Sequence, residues 1–412
     1  MKRRHFLNHM ARLAGAASLA SLPMGRIANA AAEDKVLVIV FLRGGWDGLS
    51  VVVPYGEDDY YNLRPGLAVN APGASLGALD LDGFFGMHPS MGALYNRYAD
   101  GQVAIMPTVL HDGGSMSHFT AQDMIESASI PAAQSGWLAR LLAERGIAPS
   151  EHAISLSHTP PLSLAGASVP APNFVHLSDL NLAVEPADRN MLNQVVNTAY
   201  AWEADAGNPN AQVLHRVGQM LSDQIASLQS IAQSSLTSQA LYPDTLFGLQ
   251  MRHAAALIKA RSTLNVLTVD MPGWDTHSDQ GSQSPDGIMS RLLENFSSSV
   301  AGFFDDLGTR AADVLMLAAT EFGRTAAENG SKGTDHGHAS TWLAVGPSVR
   351  GGIYTGAGAW PGLASDNLAD GRALNHTLDF RSIYAEIAYQ FMGVSSTAQV
   401  LPGFTGTYTG FL

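Results

Sequence analysis

A three-layer α/β architecture, with a mostly parallel central sheet covered on both faces by helices, is what this sequence predicts. Three observations carry the expectation. Wholly apolar runs recur along the chain and stop at glycine-rich turns, amphipathic helical patterns lie between them, and metal-binding residue types gather just past their ends. Open α/β sheets bind ligands at that edge, outside the carboxyl ends of their strands.

The runs predict strands at Val36–Leu42, Gln102–Val109, Thr263–Met271, Asp313–Gly323 and Thr341–Gly346. The first is apolar on every residue and the others are mostly so, the mark of a strand buried on both faces. Helices are predicted at Met91–Tyr98, Thr120–Ser127, Gly287–Leu307 and Phe380–Met392. A longer helical pattern runs from Ala211 to Arg261, where Val213, Val217, Leu221, Ile225 and Leu228 recur at three- and four-residue spacing. The simplest division is an export signal over residues 1–30 and one domain over 31–412, with a helical insertion at about 190–261.

The start of the chain pairs Arg3 with Arg4 and follows them with an apolar run, Leu13 to Met24, and the small residues Ala28-Asn29-Ala30. This predicts twin-arginine export, cleavage near Ala30 and a periplasmic or secreted protein. The run has about half the ~20 residues needed to span a bilayer, so no permanent membrane anchor is expected. With no cysteine, the chain has neither disulfides nor thiolate ligands, and any metal must sit on His, Asp or Glu. Without the five basic residues of the signal, 18 basic residues face 36 acidic ones, a formal charge of −18. Such a surface repels phosphate backbones and argues against a nucleic-acid partner.

The strand ends carry the chemistry. The first is followed by "RGGWDG" with Asp47, the strand ending at Met271 by "PGWDTH" with Asp275 and His277, and the strand through Leu317 by "TEFGR" with Glu321 and Arg324. The next loop, "GSKGTDHGHAST", adds Asp335, His336 and His338. Carboxylates and imidazoles in this proportion suit one or two divalent cations, with zinc or manganese favoured over magnesium. The stretch "HDGGSMSHFTAQDMIE" places Ser117 and His118 where a helix begins, the position of a nucleophile facing an anion held by free backbone N–H groups. Ser117 or Thr120 equally suits a plain N-cap. Arg43 and Arg324 flank the turns and could fork onto the oxygens of an anionic ester, or serve as structural ion-pair partners. The aromatics Trp46, Tyr60, Tyr61, Trp274 and Trp360 either bind carbohydrate or close the core.

The ordered set "FLRGGWDGLSVVVPYGEDDYYNLRP", "SHFTAQD", "GWDTHSDQ", "TEFGRTAAENGSKGTDHGHAS" and "VRGGIY…WPGL" resembles the exported bacterial family known as domain of unknown function 1501, from about Val36 to Met392. That family is similar in fold to the alkaline phosphatase and sulfatase superfamily, so the resemblance implies an alkaline phosphatase-like fold. It also implies metal ligands at Asp47, at Asp275 with His277, and at Asp335 with His336, with His338 preferred over His376 as the last. Three positions depart from the pattern. Only Thr276 separates Asp275 from His277, and Met116 and Thr120 stand where the family tends to show Arg and Asp.

Two function classes follow: a metal-dependent hydrolase of phosphate or sulfate esters acting on a small anionic ester or a decorated glycan, and a non-catalytic binding or assembly protein working with a co-exported partner. A redox enzyme is disfavoured, because no G-x-G-x-x-G follows the first strand and no Cys is present for iron–sulfur ligation.

Overall fold

A computed structural model describes residues 34–177, 228, 230–231, 234, 237–261, 263–356 and 358–412. The predicted signal and most of the predicted insertion, about 190–261, lie outside these residues.

The strands are β1 (Val36–Arg43), β2 (Val52–Val53), β3 (Leu79–Asp80), β4 (Gly86–Met87), β5 (Val103–Leu110), β6 (Ala153–Leu156), β7 (Val266–Pro272), β8 (Val314–Ala319), β9 (Ser340–Val345), β10 (Gly352–Ile353) and β11 (Leu378–Asp379). The main sheet has the order β10-β5-β9-β8-β1-β7-β6, with β11 also pairing β5. Within it β9 alone runs antiparallel, against β5 on one side and β8 on the other. The carboxyl ends of β1, β5, β7 and β8 therefore share one edge. All five predicted strands exist, shifted by one to four residues. The strand β6 and the small sheet β2-β4-β3 were not predicted, because such short segments carry too few residues to show a period.

Alternation along β1 builds the three layers. Val36, Val38, Val40 and Leu42 pack with the helices Leu246–Ala260 and Ile288–Leu307, while Leu37, Ile39 and Phe41 pack with Trp137–Glu144 and Phe380–Glu386. On the helix Ile288–Leu307 the buried residues Leu293, Phe296, Val300, Phe303 and Leu307 recur at three- and four-residue spacing. Each such side chain contributes about 1.5–3 kcal/mol by leaving water. The helix Phe380–Glu386 starts on the side chain of Asp379, which accepts from Arg381 N, and widens into a π-helical turn at Ile387–Phe391. Trp46, Tyr60 and Trp274 are fully buried. They close the core, edge to face with one another in the case of Trp46 and Trp274, and bind no carbohydrate. No helix among the described residues is long and apolar enough to cross a membrane.

His88 is buried behind this sheet edge, with its Nε2–H donating to Ser282 O at 2.8 Å and its Nδ1 accepting from Ser90 N at 3.1 Å. Both nitrogens are satisfied only in the neutral ring, and burial pushes its pKa from 6.5 down to about 4. The unfolded chain thus takes up this proton first as pH falls. Stability is expected to drop progressively from about pH 6.5 to about pH 4, by on the order of 3 kcal/mol from this group. Urea denaturation at pH 7 and pH 5 should show a smaller difference for His88→Gln than for the native chain; an unchanged difference would assign the loss to other groups.

Candidate metal centre

Three strand-end segments meet at one carboxylate. The loop after β7 carries Asp275 and His277, the loop between β8 and β9 carries His336, and the helix that follows β5, His118–Ser127, begins with His118. The Nε2 atoms of His277, His336 and His118 lie 3.0, 3.1 and 3.5 Å from Asp275 Oδ1. His277 and His336 also approach each other, Nε2 to Nε2, at 3.1 Å.

The other nitrogen of each ring explains this convergence. His118 Nδ1 is 2.8 Å from Glu321 Oε1, His277 Nδ1 is 3.2 Å from Asp335 Oδ1, and His336 Nδ1 is 2.8 Å from the Met116 carbonyl. All three partners can only accept, so each Nδ1 carries a hydrogen, and in the neutral rings that a cation would bind each Nε2 presents a lone pair. Three lone pairs then face one carboxylate oxygen whose donor is Arg324 at 2.6 Å, the rings themselves supply none, and the buried Nε2 of His118 has no hydrogen-bond partner. A cation is the simplest counterpart to such a donor set. His118, Asp275 and His336 form the group able to hold a metal ion among the described residues, with ligand atoms all within 4.8 Å.

The electrostatics agree. Burial opposes the charge on Asp275, but Arg324 at 2.6 Å wins and brings its pKa to about 2. Glu321 is wholly buried, yet hydrogen bonds from His118, Gln122 and Gly44 N lower its pKa against that burial. Its partner His118 is raised, first by the hydrogen bond to Glu321. Asp335 is lowered mainly by Asn329, whose Nδ2 lies 3.0 Å from Oδ1.

The structure corrects several expectations from sequence. Asp47 is not in the cluster. It is buried in a two-pronged ion pair with Arg64, at 2.5 and 2.9 Å, and its Oδ2 also accepts from Ser50 and Gln280. Glu321 and Asp335 face the Nδ1 side of the rings, away from the nitrogens that converge on Asp275. Arg43 does not point to the cluster either: it is bound by Glu126 at 2.6 Å and Asp270 at 3.1 Å. Arg324 touches Asp275, but its other donors go to the carbonyls of Gly44, Gly45, Trp274 and Thr334. Ser117 takes the N-cap position with no side-chain cap bond, and its neighbour His118 is already engaged.

His338 and His376, competitors in the sequence, are hydrogen-bonded to each other at 2.8 Å. His376 in turn lies 3.4 Å from Asp112, while burial and the neighbouring rings of His376 and His111 push His338 down to about 4. The pair stands apart from the Asp275 cluster. Two contributors were not read from the sequence, Asn329 and Gln122, and neither was Arg64, which holds Asp47 outside the cluster. Gln122 alone left a signal, at four residues from His118 on a predicted helix.

The "GTDHGH" loop reaches this position because it lies against other backbone. A Cβ on Gly337 would come within 2.3 Å of the Arg324 backbone. The loop also pairs with residues 323–325 through Thr325 N to Asp335 O and Gly337 N to Gly323 O.

The chain belongs to the DUF1501 family. The family model, described as a protein of unknown function, matches residues 34–404. No curated protein matches the chain. Among solved structures this DUF1501 chain is similar to the C-terminal periplasmic domain of EcEptC from Escherichia coli in complex with zinc, at 9% identity and TM-score 0.39, over 91% of this chain and 88% of that one. It is also similar to the PsFucS1 sulfatase from Pseudoalteromonas sp., at 9% and 0.37 over 91% and 72%. A third likeness is to the Thermus thermophilus alkaline phosphatase, at 13% and 0.30 over 73% and 64%. These likenesses assign no residue of this chain a role.

Replacing Asp47 separates a structural carboxylate from a ligand. Asp47→Asn leaves the buried Arg64 charge without its counter-ion and is expected to cost about 3–5 kcal/mol in urea denaturation, with metal affinity of the folded protein retained. Lost metal with unchanged stability would return Asp47 to the ligand set.

Proposed function

We propose that this chain is an exported metal-dependent hydrolase of phosphate or sulfate esters, built on one divalent cation, zinc or manganese, held by His118, Asp275, His277 and His336. In this reading residues 1–30 direct twin-arginine export and residues 31–412 form the enzyme. The observation that carries it is the convergence of three Nε2 lone pairs on the Asp275 carboxylate, each ring fixed from behind by an acceptor. Imidazole with one carboxylate suits zinc and manganese better than magnesium. Bound there, the cation supplies Lewis acidity to an ester oxygen and neutralises charge as the ester bond breaks.

The chain's own residues do the rest. Glu321 and Asp335 keep the protons on Nδ1 and so hold the rings in register. Arg324 fixes Asp275 and keeps it ionised. Ser117, exposed at the N-terminus of a ten-residue helix, is the nucleophile of this proposal, and the free N–H groups there receive the non-bridging oxygens of the ester. The two guanidiniums expected to do so are occupied elsewhere. That last fact also favours the second reading, a metal-bearing binding or assembly protein with a co-exported partner.

Elemental analysis of protein purified without chelator should find about one equivalent of zinc or manganese, lost in His336→Ala. Aryl phosphate or aryl sulfate turnover is expected to fall at least about a hundredfold in that variant, as losing several kcal/mol of charge stabilisation implies. Asp335→Asn should weaken metal binding by about 10–100-fold without abolishing it. Bound metal with no turnover of any ester would select the binding reading; metal-free protein with undiminished turnover would end both.

A further inference from the structure

The helix His118–Ser127 carries His118, Gln122 and Glu126 four residues apart, so all three lie on one face along about 12 Å. Each meets a different part of one polar chain. His118 bonds Glu321, and Gln122 Nε2 donates to the same Glu321 oxygen at 2.8 Å. Gln122 Oε1 accepts from Arg43 at 3.1 Å, and Glu126 accepts from the same Arg43 nitrogen at 2.6 Å. Arg43 reaches Asp270 with its other nitrogen, at 3.1 Å.

Arg43, Gln122, Glu126 and Asp270 line an open cavity of about 360 Å³, with Asp123, His158 and Thr159 on its exposed walls. Two largely buried carboxylates face one guanidinium there, which leaves one net negative charge, and Asp123 adds a second. Asp270 gives only Oδ1 to Arg43. Burial and the neighbouring Glu126 carboxylate keep its pKa raised even against that partner. Glu126 accepts on both oxygens, from Arg43 and from Ser163 N at 2.9 Å, so an ammonium group entering here meets the second oxygen of Asp270 and the exposed carboxylate of Asp123, while an anion meets repulsion.

We propose that this cavity is a binding subsite for a cationic amine, the non-reacting end of an ester whose other end reaches the metal centre. The part concerning the ester rests on the hydrolase reading; the part concerning the amine does not.

The test uses benzylamine and benzyl alcohol as phosphate-free probes of the full chain, followed by calorimetry or ligand-observed NMR. Turnover is compared between 4-(aminomethyl)phenyl phosphate and its neutral 4-(hydroxymethyl)phenyl counterpart. Benzylamine is expected to bind at least about tenfold more tightly than the alcohol, the size of one charge-assisted contact. Asp270→Asn should erase that preference at unchanged metal content. Because Asp270 is buried and its replacement risks misfolding, Thr159→Trp on the exposed wall fills the cavity without touching the ion pairs and should block the amine. The amino ester should show the higher kcat/KM, with the advantage lost in both variants. Equal binding of the alcohol, or amine binding that survives both variants, overturns the subsite. Amine binding lost in both variants, beside no ester turnover, upholds the subsite and sinks the hydrolase reading; turnover with no amine binding does the reverse.

Discussion

One guanidinium ties the candidate centre together. Arg324 is buried and donates to the carbonyls of Gly44, Gly45, Trp274 and Thr334 and to the carboxylate of Asp275. A buried charge is tolerated only when its donors are met, and four carbonyls with one carboxylate meet them. The consequence is geometric: the loops after β1, β7 and β8 must all come within reach of one planar fork. A lysine, with a single ammonium, would not span them. Gly44 answers the same demand, at φ +119° and with a Cβ that would stand 2.6 Å from Asp275 N.

From that tie follows a division of labour among the acidic residues. Asp275 is held with its oxygen toward the rings, and Glu321 and Asp335 stand behind them. The difference is one of position, since all three are lowered and ionised. A carboxylate at Nδ1 fixes which nitrogen carries the proton, and hence which offers the lone pair. The wholly buried Glu321 does this with four hydrogen bonds, from Gly44 N, His118, Gln122 and Thr320, so the angle of His118 is set more firmly than that of the half-exposed His277.

Much of this was legible in the sequence. Mostly apolar runs announced β1, β5, β7, β8 and β9, because a strand buried on both faces has little polar side to mask its length. The cluster residues His118, Asp275, His277 and His336 were each singled out by residue type at a strand end. Which of the seven candidate ligands converge on Asp275 and which stand behind the rings was not legible, since that depends on which face of a ring a carboxylate reaches. Asp47 is the clearest case: its motif reads as a ligand turn, yet Arg64, seventeen residues on in a short helix–turn segment, claims both of its oxygens. Arg43 illustrates the same limit. Its partners Glu126 and Asp270 lie on two other elements, and no local pattern links them.

The placement of cations inside the fold bears on what the site can receive. Arg43, Arg64 and Arg324 all stand near the strand ends, and all three are neutralised by carboxylates or exhausted by carbonyls. An anionic ester arriving at a chain of net charge −13 therefore finds no free guanidinium among them. In the proposed hydrolase reading its charge would be met by a cation at the candidate metal centre and by the N–H groups that open the helix at His118. The same helix carries its polar stripe on to Glu126, where the sign of the field reverses. A ligand with an anion at one end and a cation at the other matches that gradient along a single helical face, and a ligand with two anions does not.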